Sequence, residues 1–136
     1  MPIPDVTGLQ RDEIRNSEGR ICMRRYYLKR SRQGDIRYHE ILESDTDRHL
    51  HDRPWDFTSV ILDGTYLETT PTSETVYEQG NTIHRKAASP HRLTLTNGPV
   101  WTRVSTGPYV KTWGFYTPEG WIDWRQYRTA DHAANA

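Results

Sequence analysis

Trp55-Asp-Phe-Thr-Ser-Val-Ile-Leu62, followed by Asp63-Gly64, decides the fold. The run is short, rich in aromatic and β-branched residues, and stopped by a dipeptide suited to a tight turn. It reads as a strand entering a hairpin, with TYLETT as the returning strand. The pattern then repeats downstream. ETVYEQ, TIHRKA, HRLTLT, VWTRVST and YVKTWGFYT alternate with the turn signals Pro71-Thr72-Ser73, Gly80-Asn81, Asn97-Gly98-Pro99 and Gly107-Pro108. Upstream, ICMRRYYLKR and DIRYHEILE flank the turn Ser31-Arg32-Gln33-Gly34. About nine short strands at spacings near ten residues predict an all-β antiparallel sandwich or barrel rather than βαβ units. Helix is expected only in short segments near the termini, over 4–17 and 124–134.

The 136 residues suit one domain, since chains divide only beyond about 250 residues. Its core is expected over roughly 20–125, with less ordered termini. Hydrophobic residues are 34% of the chain, but five Trp, eight Tyr and two Phe can fill a small core where aliphatics are scarce. Eighteen basic side chains balance eighteen acidic ones, so bulk charge calls for no anionic partner. The single cysteine, Cys22, excludes an internal disulfide and a multi-cysteine zinc cluster. No apolar run approaches the roughly 20 residues of a membrane span, and MPIPDVTGLQRDE lacks a signal-peptide core. A cytoplasmic protein is expected.

Charge is unevenly spread. Arg20, Arg24, Arg25, Lys29, Arg30, Arg32 and Arg37 fall in a stretch whose one acid is Asp35. With Tyr26 and Tyr27 interleaved, it could be a nucleic-acid patch, but it reads better as a hairpin with its arginines on the wet face. Nucleic acid is not the expected partner.

Chemistry concentrates in Asp47-Arg48-His49-Leu50-His51-Asp52-Arg53-Pro54-Trp55-Asp56. Two histidines at i, i+2 project from one face of a strand. They can offer nitrogens to one metal at roughly 2 Å each, or be a simple surface pair. His91, opening HRLTLT after Ser89-Pro90, is the candidate third donor. His84 is a reserve donor, although beside Arg85 and Lys86 it reads as a surface residue, and His39 and His132 read as non-ligands. Arg53 continues the His49–His51 alternation and could grip a carboxylate or phosphate with its planar fork, though it reads more readily as half of a structural ion pair. Asp52 is either an acceptor orienting an imidazole or a turn residue before Pro54. Trp101, Trp113, Phe115, Trp121 and Trp124 are expected to build the core and cover the barrel end. There is no Gly-rich phosphate loop, no GxSxG elbow and no His-Glu-x-x-His.

HLHDRPWDFTSVILDG and ASPHRLTL resemble the two motifs of the cupin superfamily: His-x-His with a later Glu and Gly, and Pro-x-Gly-x-x-His. The likeness runs from about Arg37 to Thr117 and extends to small bacterial and phage-type cupins. It implies a jelly-roll β-sandwich, a double-stranded β-helix. Two registers fit. In one, His49 and His51 are the pair and Asp56 stands where cupins carry Glu, but Gly64 falls one residue late. In the other, the spacing to Gly64 is ideal and the motif falls on His51, Arg53 and Phe57. That register has lost its metal ligands. The second motif also lacks its glycine.

By this resemblance, the first register implies a metal-dependent enzyme of dioxygenase, isomerase, epimerase or lyase type. One divalent transition metal, Fe, Ni, Zn or Mn, would sit on His49, His51 and His91 with Asp56 as fourth ligand. Arg53 would bind substrate. The second register implies a non-catalytic jelly roll that binds a small anion or sugar. A small molecule is the expected partner in both. By the same resemblance a homodimer is expected, through edge strands such as YYLK and DIRYHEIL.

Overall fold

The computed structural model describes residues 3–134, with side chains to residue 129. The nine expected strands are all present: β2 (Ile21–Lys29), β3 (Ile36–Ile41), β5 (Phe57–Asp63), β6 (Thr65–Thr69), β7 (Glu74–Glu78), β8 (Thr82–Arg85), β9 (Arg92–Leu95), β10 (Val100–Thr106) and β11 (Gly114–Thr117). Three more join them: β1 (Gln10–Arg15), β4 (Leu50–His51) and β12 (Gly120–Asp123). One helix, α1 (Trp124–Ala134), follows β12.

All pairings are antiparallel. One layer is a six-stranded sheet in the order β1-β2-β3-β10-β5-β8. The facing layer consists of two three-stranded sheets, β12-β11-β4 and β7-β6-β9. An isolated bridge between His51 and His91 joins these two, with reciprocal backbone hydrogen bonds of 2.9 and 2.8 Å. The result is an antiparallel jelly roll. Gly64 makes the β5–β6 turn possible: its φ is +95°, and a Cβ there would lie 2.8 Å from the Pro99 carbonyl oxygen.

Two expectations are corrected. Residues 10–15 form a strand rather than a helical turn, because each pairs with β2 and their charges find partners there. Arg24 Nε lies 3.2 Å from Glu13, and the Tyr27 hydroxyl donates to Asp12 at 2.7 Å. With β1 in place, β2 and β3 are interior strands. The sheet edges are β1 and β8, not the YYLK and DIRYHEIL strands.

The core is split. Ile61, Tyr66, Ile83 and Val100 pack at one end with Ile41, Tyr77, Leu93 and Leu95. At the other end α1 docks through aromatic stacking, Tyr127 on Phe115 at 3.9 Å and Trp124 on Trp113 at 5.6 Å between ring centroids. Trp101 is buried against Tyr26, whereas Trp121 is 40% exposed. No helix of the described residues is long and apolar enough to cross a membrane. Between the two core regions lies a cavity.

Candidate anion-binding cavity

The cavity encloses about 290 Å³ between the layers, at the small end of ligand sites. Strand alternation decides what lines it. On β4 and the residue pair that follows, His51 and Arg53 face inward while Asp52 faces away. Phe57, at the start of β5, is also on the wall. These are the residues of the register with ideal spacing to Gly64.

The expected ligand set does not converge. His51 and His91 are adjacent, both about 5% exposed or less, with ring centroids 4.9 Å apart. His49 is elsewhere. It precedes β4 in a bend, so strand alternation does not reach it, and its Nδ1 is 2.9 Å from the Tyr127 hydroxyl. Asp56 is half-exposed outside the cavity, accepting from the Ala87 amide at 2.8 Å and facing Lys86 at 3.5 Å. His84 pairs with Thr58 on the surface at 2.9 Å, and the side chain of His132 lies outside the described residues. Among the described residues, no three His, Cys, Asp or Glu side chains are grouped to hold a metal ion. Two imidazoles beside a guanidinium and a phenyl ring are a poor donor set for a divalent cation.

Asp52 is fully buried and orients no imidazole. It accepts from the Gly114 amide at 2.8 Å, Trp121 Nε1 at 3.1 Å and the Tyr116 hydroxyl at 3.3 Å, and it pairs with Lys111. That ties β11 and β12 to β4.

Sequence reasoning missed much of the wall. Arg25 on β2 and Arg37 and His39 on β3 point inward, although their stretch reads as a solvated hairpin. The signal was present in Arg37-Tyr38-His39-Glu40-Ile41, where alternation puts Arg37 and His39 on the same face as Ile41. Arg37 is fixed by Asp35, which it holds through Nε and Nη2 at 3.3 and 2.9 Å, and by the Trp55 ring 4.9 Å away. Arg25 and Arg53 form no salt bridge among the described residues. Burial pulls Arg53 and Arg37 below the usual guanidinium range. For Arg53, attraction to Asp45 opposes this and repulsion from Arg25 and Arg37 adds to it. They stay charged, because guanidinium titrates far above neutrality. His39 and His51 are held well below the usual imidazole value, mainly by burial and further by nearby arginine charges, so both are neutral at pH 7.

His91 is held from behind. Its Nδ1 is 2.8 Å from Glu68 Oε2, and Glu68 is gripped by Arg85. Burial lowers the His91 value while the Glu68 hydrogen bond raises it.

Buried polar atoms in folded proteins almost always have hydrogen-bond partners. Seven side-chain atoms here have none among the described residues, and six belong to the cavity wall: Arg25 Nε, Arg37 Nη1, His39 Nε2, His91 Nε2, Thr102 Oγ1 and Arg128 Nε. The seventh is Arg92 Nε. Arginine nitrogens only donate, so what complements them is an acceptor.

No family model and no curated protein matches the chain. Solved structures do. A protein described as a sugar phosphate isomerase from a cupin superfamily, from Silicibacter pomeroyi, aligns at TM-score 0.61 and 12% identity, over 89% of this chain and 90% of that one. The Fe(II) form of HppE aligns at TM-score 0.61 and 11% identity, over 78% of this chain and 60% of that one. A cupin superfamily protein from Desulfitobacterium hafniense aligns at TM-score 0.54 and 14% identity, over 63% and 77%. Strand order, layer arrangement and these likenesses agree: the chain has the cupin fold, a double-stranded β-helix.

Proposed function

We propose that this jelly roll binds a small organic anion in its cavity, on Arg25, Arg37 and Arg53, with no metal between protein and ligand. One observation carries the reading: the unpartnered buried polar atoms gather on this wall, and the arginines among them can only donate. The acids near the cavity form no salt bridge with Arg25 or Arg53 among the described residues, and each has another partner. Asp45 accepts from the Leu93 amide at 2.7 Å, Asp47 pairs with Arg128 at 3.2 Å, and Glu43 pairs with Arg20 at 2.7 Å. A ligand carboxylate or phosphate would supply the missing acceptors in a site shielded from water, where charge-assisted bonds are strong.

The metal-dependent reading keeps two observations in its favour. His51 and His91 are adjacent on the wall, and a protein of the same fold, HppE, is described in an Fe(II) form. Elemental analysis of untagged protein separates the two. The anion reading expects no stoichiometric metal, and no rise in thermal midpoint on adding Fe, Ni, Zn or Mn ions. It expects small carboxylates or phosphates to raise the midpoint, and Arg53→Gln to weaken that binding by about 1–3 kcal/mol. One tightly held divalent ion per chain would overturn it.

A further inference from the structure

Arg25, His39 and Thr102 stand abreast on β2, β3 and β10, because Arg25 pairs with His39 and His39 with Thr102 in the strand registers. All three line the cavity, and each presents a buried polar atom without a partner: Nε, Nε2 and Oγ1. His39 and Thr102 are 9% and 1% exposed. Strands lie about 4.8 Å apart, so this row spans roughly 10 Å, far more than one carboxylate or phosphate covers. Arg37 is one inward step from His39 along β3, and Arg53 faces the row from the opposite layer.

The row is chemically divided. Its Arg25 end, with Arg37 and Arg53, is cationic and only donates. The His39–Thr102 end is uncharged, the imidazole being held neutral by burial and by the surrounding arginines. A hydroxyl both donates and accepts, and an imidazole nitrogen can do either according to its tautomer. The natural complement of the neutral end is therefore a group of the same kind. A second carboxylate there would only accept, and an ammonium would face the arginines.

We infer that the ligand is a hydroxylated anion, with a phosphate or carboxylate head on Arg25, Arg37 and Arg53 and a hydroxyl on a neighbouring carbon against His39 and Thr102. This rests on the anion-binding reading and specifies its ligand class. The cavity's small volume limits the molecule to a short chain or a single ring.

Calorimetric titration of the full chain with matched probes tests it. Glycerol 3-phosphate is compared with methyl phosphate, glycerate with propionate, and glycerol serves as the uncharged control. Each hydroxylated probe is expected to bind about tenfold more tightly than its partner, the scale of one hydrogen bond. Whichever pair binds more tightly identifies the head group. Thr102→Val should bring that ratio close to one without lowering the thermal midpoint of the ligand-free protein, since it removes an unpaired buried hydroxyl at nearly constant volume. Arg53→Gln should weaken both members of a pair and preserve the ratio. Equal binding within each pair in the wild type, or an unchanged ratio in Thr102→Val, overturns the hydroxyl assignment while leaving the anion site standing. Absence of binding by every anion overturns both.

Discussion

A guanidinium enclosed by protein destabilises the fold unless an anion or a set of acceptors satisfies it. Arg37 meets that demand in part through Asp35, whereas Arg25 keeps a buried Nε without a partner among the described residues. On the proposed reading, the wall of this cavity is arranged for a ligand at some cost in stability, as residues at functional sites often are. His49 has the opposite character, a structural contact with no place on the wall. His49→Ala should lower unfolding free energy by about 1 kcal/mol through loss of the Tyr127 hydrogen bond, with anion affinity unchanged. Urea titration and calorimetry on the same variant check both halves, and a loss of affinity without a loss of stability would return His49 to the site. The inward direction of Arg53 was legible, because Pro54 favours an extended conformation before it and period-two alternation does the rest. Arg25 and Arg37 were not, because arginines among other arginines in a strand read as a wet face. Only the partner strands on both sides, visible in the fold, show that Arg25 and Arg37 turn inward while the hairpin's other basic side chains do not.

At the scale of elements, the sequence marked strands wherever β-branched residues and turn dipeptides coincide, as in Phe57–Asp63 and its Asp63-Gly64 turn. It hid those without such marks. β1 is polar apart from Ile14, and its pairing shows mainly in charges that meet β2. β4 is two residues long, and the His51–His91 bridge that makes it part of a layer is a long-range event. That bridge explains why two of the three histidines that the cupin likeness picks out, His51 and His91, lie side by side on the cavity wall while His49 does not. Among its described side chains, α1 closes the barrel end with one that is deeply buried, Tyr127, 7% exposed and stacked on Phe115. Tyr127→Ala should cost about 3 kcal/mol, the usual scale for emptying a buried aromatic position. Urea unfolding measures it, and a cost within error of zero would show that the helix is not part of the cooperative unit.

For the whole molecule, the neutral net charge conceals an interior that is locally cationic and held against the sign of its own groups. His39 and His51 stay neutral in the folded state, with burial as the largest cause. The unfolded chain binds protons at both near the ordinary value of 6.5, and the folded chain does not. Stability should therefore hold above that pH and fall as the pH drops below it, by up to about 1.4 kcal/mol per unit for each histidine. Urea midpoints compared between neutral and mildly acidic buffer give the sign, and a midpoint that rose on acidification would contradict it.

The most direct measurement sets stability against binding in one variant. Replacing Arg25 and Arg53 together by methionine removes two charges that repel one another and keeps much of their bulk. Thermal midpoints are then recorded with and without saturating inorganic phosphate, beside the wild type. An anion site predicts that the ligand-free variant melts at or above the wild-type temperature and that phosphate no longer raises it. A variant that melts lower while keeping the full phosphate response would show that these arginines hold the fold together and that the cavity is not where anions bind.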